Sequence, residues 1–100
     1  MSSKDIRFVV VHRPGPNWAA DVPMFEQDGL QAHIDHFRTL AAQGKLTMGG
    51  PFLDAGTVGM MIAEPGVSRA EVEAFAAADP SVQAGLLACE VRTWMVGMKK

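Results

Sequence analysis

The stretch Leu30–Phe52, LQAHIDHFRTLAAQGKLTMGGPF, constrains this chain more than any other. Leu30, Ile34, Phe37 and Ala41, with Leu40 beside them, recur at the three- and four-residue spacing of one helix face. The helical pattern sets in at about Pro23 and stops at Gly44, a natural residue for a helix C-terminus. Gln27, Asp28, Asp35, Arg38 and Gln43 fall mostly on its wet side. Lys45 to Phe52 then reads as a strand, and Gly49-Gly50-Pro51 marks a bend or a close backbone approach near its end. A helix that feeds through a glycine into a strand must lay its stripe on a sheet, which leaves few architectures open.

The other segments supply that sheet. Ile6 to Arg13 (IRFVVVHR) is rich in β-branched residues and bounded by Pro14, so it reads as a first strand. Ile6, Phe8, Val10 and His12 share one of its faces; Arg7, Val9, Val11 and Arg13 share the other. Arg13 to Pro23 holds prolines and a glycine and continues neither element. Trp18 in that loop is expected either to anchor it or to close over a pocket. Asp54-Ala55-Gly56 is a turn, and Thr57 to Glu64 forms a hairpin with the preceding strand. Ser68-Arg69-Ala70-Glu71 matches a capping box opening a second helix, whose apolar spacing ends at Asp79. Asp79-Pro80 begins a further short turn, with aspartate as cap and proline in the first turn. Cys89 to Val96 is the fourth strand, and Met98 to Lys100 a tail.

The order β-α-β-β-α-β with right-handed crossovers closes into a four-stranded antiparallel sheet with both helices on one face, the ferredoxin-like α+β arrangement. The chain of 100 residues is the size of a single domain. Two helices cover one side of such a sheet, yet FVVV, GMMIA and TWMV are apolar in consecutive positions. A homodimer through the uncovered sheet face is therefore expected. A net charge of −2 argues against nucleic acid or an anionic membrane as partner. No stretch is apolar for long enough to span a bilayer. The single cysteine, Cys89, excludes an internal disulfide and suits a reducing, cytoplasmic setting.

Few side chains are placed to do chemistry. His33 lies within the apolar stripe, and His36 falls toward the polar face. No third ligand at metal spacing completes a set with them, so no metal is expected. Asp79 serves as a helix cap, but a carboxylate has acceptor positions to spare for an imidazole. Such a partner fixes the tautomer and raises the basicity of a histidine for acid–base work near neutral pH. Arg92 on the last strand is placed for an anion or for a cross-sheet carboxylate. Phosphate loop, nucleophile elbow and dinucleotide fingerprint are all missing, and no cofactor is implied.

Two segments carry a resemblance: His33 followed by GKLTMGGPF, and AAADPSVQAGLLACEVRTW near the end. In this order and spacing the chain resembles the YciI-like family of small dimeric proteins. The resemblance covers nearly all of it as a single domain, 1–100. The family is similar in fold to dimeric α+β barrels that include muconolactone isomerases and cofactor-free monooxygenases. It implies an active site made of a histidine on the first helix and an aspartate before the short helix turn, positions matched by His33 and Asp79. A dehydrochlorinase acting on an aromatic ring is among the family's activities. Members often carry an arginine three residues before the histidine and an aromatic after Asp-Pro. Leu30 and Ser81 stand there, so an anionic substrate is not carried over with the site.

The expected function is then proton transfer by a His33–Asp79 dyad on a small cyclic or aromatic compound, as a lyase or isomerase. His33 is the acid–base and Asp79 its orienting partner. Trp18, Met48, Phe52, His12 and Arg92 are the candidates for substrate contact. The competing expectations are a non-catalytic binding or regulatory dimer, in which the same pair is structural, and a cofactor-free oxygenase of the same fold.

Overall fold

The computed structural model describes residues 4–54, 56 and 58–100. Strand β1 (Asp5–Pro14) is followed by helix α1 (Leu30–Ala42) and strands β2 (Leu46–Pro51) and β3 (Gly59–Ala63). Helix α2 (Arg69–Ala77), the one-turn helix α3 (Pro80–Gln83) and strand β4 (Leu87–Val96) complete the chain. The strands are ordered β2-β3-β1-β4 and every neighbouring pair is antiparallel, the ferredoxin-like topology expected from the element order. Within the hairpin, Ala55 and Thr57 lie outside the described residues.

The pleat of β1 sorts its side chains. Val10 joins Phe37, Leu40, Ala63, Val72 and Ala76 in the core between sheet and helices, with Phe8 packed against it. His12 projects from the same face. A second buried cluster, Leu30, Val58, Leu86 and Leu87, closes the far end of the layer. Opposite the helices, Trp94 remains 42% exposed and Met48 61% exposed. No helix among the described residues is long and apolar enough to cross a membrane.

The first helix departs from its expected start. Residues 23–29 form a 3-10 turn, Met24–Glu26, and then Gly29 at φ 92°, a left-handed conformation that suits glycine. The α-helix proper begins at Leu30. Gln27, expected on a wet helical face, is instead buried and clasps the loop. Its amide donates to the carbonyls of Ala19 (2.6 Å) and Val22 (2.8 Å) and accepts from the Ala19 N–H (3.0 Å). Satisfying three backbone groups of an irregular loop outweighs one more helical turn. Trp18 packs against the Leu30–Leu87 cluster, the anchoring role of the two expected for it.

The capping residues act as expected. The Ser68 hydroxyl accepts from the Glu71 N–H at the start of α2, and Asp79 accepts from the Ser81 N–H at the start of α3. Ladder pairing extends β1 by one residue at each end and starts β4 two residues early, at Leu87.

Candidate functional site

Helix α1 and the start of α3 bring together two side chains that are 46 positions apart. His33 Nδ1 donates to Asp79 Oδ2 at 2.6 Å, with Asp79 fully buried and His33 6% exposed. Asp79 Oδ1 accepts twice from Ser81, from its backbone N–H (2.9 Å) and its hydroxyl (2.8 Å). Burial pushes the Asp79 carboxyl up, but the bonds from His33 and Ser81 outweigh it and hold the group below the usual carboxylate range. An ionised carboxylate only accepts, so the shared proton sits on His33 Nδ1. In the neutral ring the lone pair is then on Nε2. No hydrogen bond among the described residues occupies Nε2.

His33 borders a cavity of about 320 Å³ between α1 and the β2–β3 hairpin. Leu30, Ile34, Phe37 and Ala41 form one wall; Gly49, Gly50, Pro51, Val58 and Gly59 form the other. Met24 and Phe25 lie at its edge, Phe25 being 67% exposed. Arg38 is the only side chain on the lining with a permanent charge. Glycine is demanded at position 59, where a Cβ would stand 2.7 Å from the Gly50 carbonyl oxygen. The three glycines leave that part of the wall shallow between the side chains of Pro51 and Val58. Such a hollow, apolar with one convergent polar group, is the usual form of a small-molecule site.

Against the rear of His33 packs a second imidazole. His12 is wholly buried, its ring centroid 4.6 Å from that of His33 in an edge-to-face arrangement. Phe37 closes the triangle at 5.4 Å and 5.3 Å from the two rings. Both His12 nitrogens are covered and have no hydrogen-bond partner among the described residues, which costs about 1–3 kcal/mol for each group left so. Burial, then the neighbouring His33, pushes His12 down to about 4 against a weaker upward pull from Asp79. It is therefore neutral near pH 7.

Ligand atoms of His12, His33 and Asp79 lie within 4.8 Å of one another, close enough for the three to be weighed as a metal set. Zinc bonds of ~2.0–2.1 Å put two ligands on one ion roughly 3.3 Å apart. The 2.6 Å His33–Asp79 contact is tighter than that and has the length of a charge-assisted hydrogen bond.

Other candidates stand elsewhere. Met48 lies on the opposite sheet face beside Ile62 and Trp94, because a register shift intervenes between Leu46 and Met48. Phe52, just beyond the end of β2, and Trp18 do not line the cavity. Arg92 is exposed and faces Glu90 at 3.8 Å. His36 Nε2 donates to the Phe75 carbonyl (2.7 Å), and the ring stacks on that of Phe75, away from the cavity. Since a carbonyl only accepts, Nε2 carries the proton in that contact. Ser81, noticed in the sequence only as a departure, turns out to hold Asp79. The signal available was a hydroxyl two residues after a capping aspartate.

A ferredoxin-like layer with a buried imidazole–carboxylate pair, its histidine bordering an apolar hollow, defines the class: a small α+β domain of ferredoxin-like topology. The YCII-related domain model matches residues 6–95, and the chain belongs to that family. Among solved structures it is similar to 5-chloro-2-hydroxyhydroquinone dehydrochlorinase from Burkholderia phenoliruptrix, in complex with 2,5-dihydroxybenzoquinone. The TM-score is 0.59 and the identity 27%, covering 87% of this chain and 92% of the other. No curated protein matches the sequence.

Proposed function

We propose that this protein is a small-molecule enzyme that moves a proton on a compact cyclic or aromatic compound, with His33 as acid–base and Asp79 as its orienting partner. The observation that carries this reading is the 2.6 Å bond from Nδ1 to a fully buried carboxylate, which leaves Nε2 for the cavity side. Nε2 takes a proton from the bound compound, and the Asp79 carboxylate stabilises the imidazolium that forms. In a lyase reaction the electron pair left behind expels a leaving group. In an isomerisation the proton returns at another atom of the same compound.

The cavity walls suit a flat, largely apolar guest, with Leu30, Ile34 and Phe37 facing the glycines of the hairpin. Arg38 at the lining lies near electron-rich oxygens of such a guest. Similarity to a dehydrochlorinase of a chlorinated hydroxyhydroquinone supports a hydroxylated ring as the first compound to try. The protein acts as a homodimer in this reading, joined across the sheet face that carries Ile62, Trp94 and Met48. Exposed apolar side chains at Trp94 and Met48 support that arrangement.

The test is chloride release from 5-chloro-2-hydroxyhydroquinone, together with calorimetric binding of 2,5-dihydroxybenzoquinone. Turnover that falls at least 10²-fold in His33→Ala, with the fold and quinone binding retained, is the expected result. Equal turnover in the variant would remove His33 from the chemistry. Tight binding without turnover of this or related ring compounds would favour the non-catalytic reading.

A further inference from the structure

We propose that His12 is a positioning residue for the His33–Asp79 pair: a reserve imidazole that takes over the Asp79 carboxylate whenever its bond to His33 opens. The two oxygens of Asp79 are held unequally. Oδ1 accepts two bonds from Ser81, whereas Oδ2 has His33 as its one partner among the described residues. Any opening of the His33–Asp79 bond strips Oδ2, and that oxygen belongs to a carboxylate with no exposure to water. An unpaired buried charge is among the costliest states a protein can visit.

His12 is built to prevent it. A nitrogen of its ring and an oxygen of Asp79 already lie within 4.8 Å, so the hand-over asks of His12 only a short approach. Both of its nitrogens are idle, so the hand-over breaks no existing hydrogen bond. The edge-to-face contact with His33 couples the two rings, since neither turns without the other giving way. An apolar residue of similar size would fill the position without orphaned polar atoms, and the imidazole is explained by this use. Surrounding groups do not compete: Cys89 stands opposite on β4, its thiol pushed up by burial and by Asp79, and Gly59 faces His12 on β3.

The inference rests on the proposed acid–base role of the His33–Asp79 pair only for its purpose. The hand-over itself is tested in unliganded protein, so its failure is separate from a failure of catalysis. Imidazole ¹⁵N–¹H spectra of His33→Ala are expected to show a new, slowly exchanging, downfield N–H on His12, which disappears in the His33→Ala/Asp79→Asn double variant. Denaturant unfolding of His12→Leu, His33→Ala and the double variant gives the second arm. Removing His33 is expected to lower the folding equilibrium constant at least tenfold more when residue 12 is leucine. Absence of the new N–H signal, or additive effects in the cycle, would overturn the proposal. A His33→Ala protein that does not fold would overturn it too, because His12 is claimed to keep the carboxylate partnered.

Discussion

Asp79 shows how one residue can serve local structure and a distant partner together. Its capping bonds orient Oδ1 toward Ser81, and that leaves Oδ2 facing helix α1. Asp79→Asn presents an amide in place of the acceptor and disturbs the His33 tautomer. Turnover is expected to fall about 10²–10⁴-fold while α3 keeps its cap, as read by kinetics and circular dichroism. His12 supplies a pH signature. Its folded pKa of about 4 lies below the ordinary 6.5, so between those values the unfolded chain binds the extra proton. Stability is therefore present in full above about pH 6.5 and is lost as the pH falls toward 4. The loss is on the order of 3 kcal/mol. Denaturant melts across that range should show it in the native protein and a much flatter profile in His12→Leu.

Elements impose constraints that no single side chain reveals. The hairpin of β2 and β3 forms the glycine-rich wall of the cavity, and Gly59 admits the Gly50 carbonyl there. Gly59→Ala forces a backbone oxygen to move and is expected to cost about 1–3 kcal/mol in thermal or chemical denaturation. It should weaken binding of 2,5-dihydroxybenzoquinone by calorimetry as well. From the helix side, Phe37 packs on both imidazoles while standing in the main core cluster. Phe37→Ala is expected to destabilise by about 3–5 kcal/mol. It should also broaden the His12 and His33 ring resonances, because the same ring fills the core and braces the pair.

At the scale of the molecule, the uncovered sheet face is the feature that calls for a partner. Trp94 and Met48 border a shallow apolar depression with Ile62 and Val96. If the proposed dimer forms across this face, Trp94→Glu shifts it toward monomer in light scattering, with helix content unchanged. A native protein that is monomeric at all concentrations would remove the dimer from the proposal.

Periodicity and punctuation made the architecture legible. Strand segments rich in β-branched residues, the helical stripe ending at Gly44, and the caps at Ser68 and Asp79 depend on neighbours in sequence, so they can be read from sequence. His33 and Asp79 were also singled out there, one as an imidazole in an apolar stripe and the other as a cap with a spare oxygen. Their meeting is a matter of tertiary packing, as is the arrival of His12 behind them from the first strand. Cavity walls followed the same rule: Met48 and Phe52 were candidates for substrate contact, and a register shift between Leu46 and Met48 sent Met48 to the other face. Gln27 left the helix because a loop eight residues earlier needed its amide. Local chemistry thus determined which segments form and which residues are suited to react. Only the closed fold decided which of them touch, because contact across the chain depends on how layers pack rather than on any spacing along it.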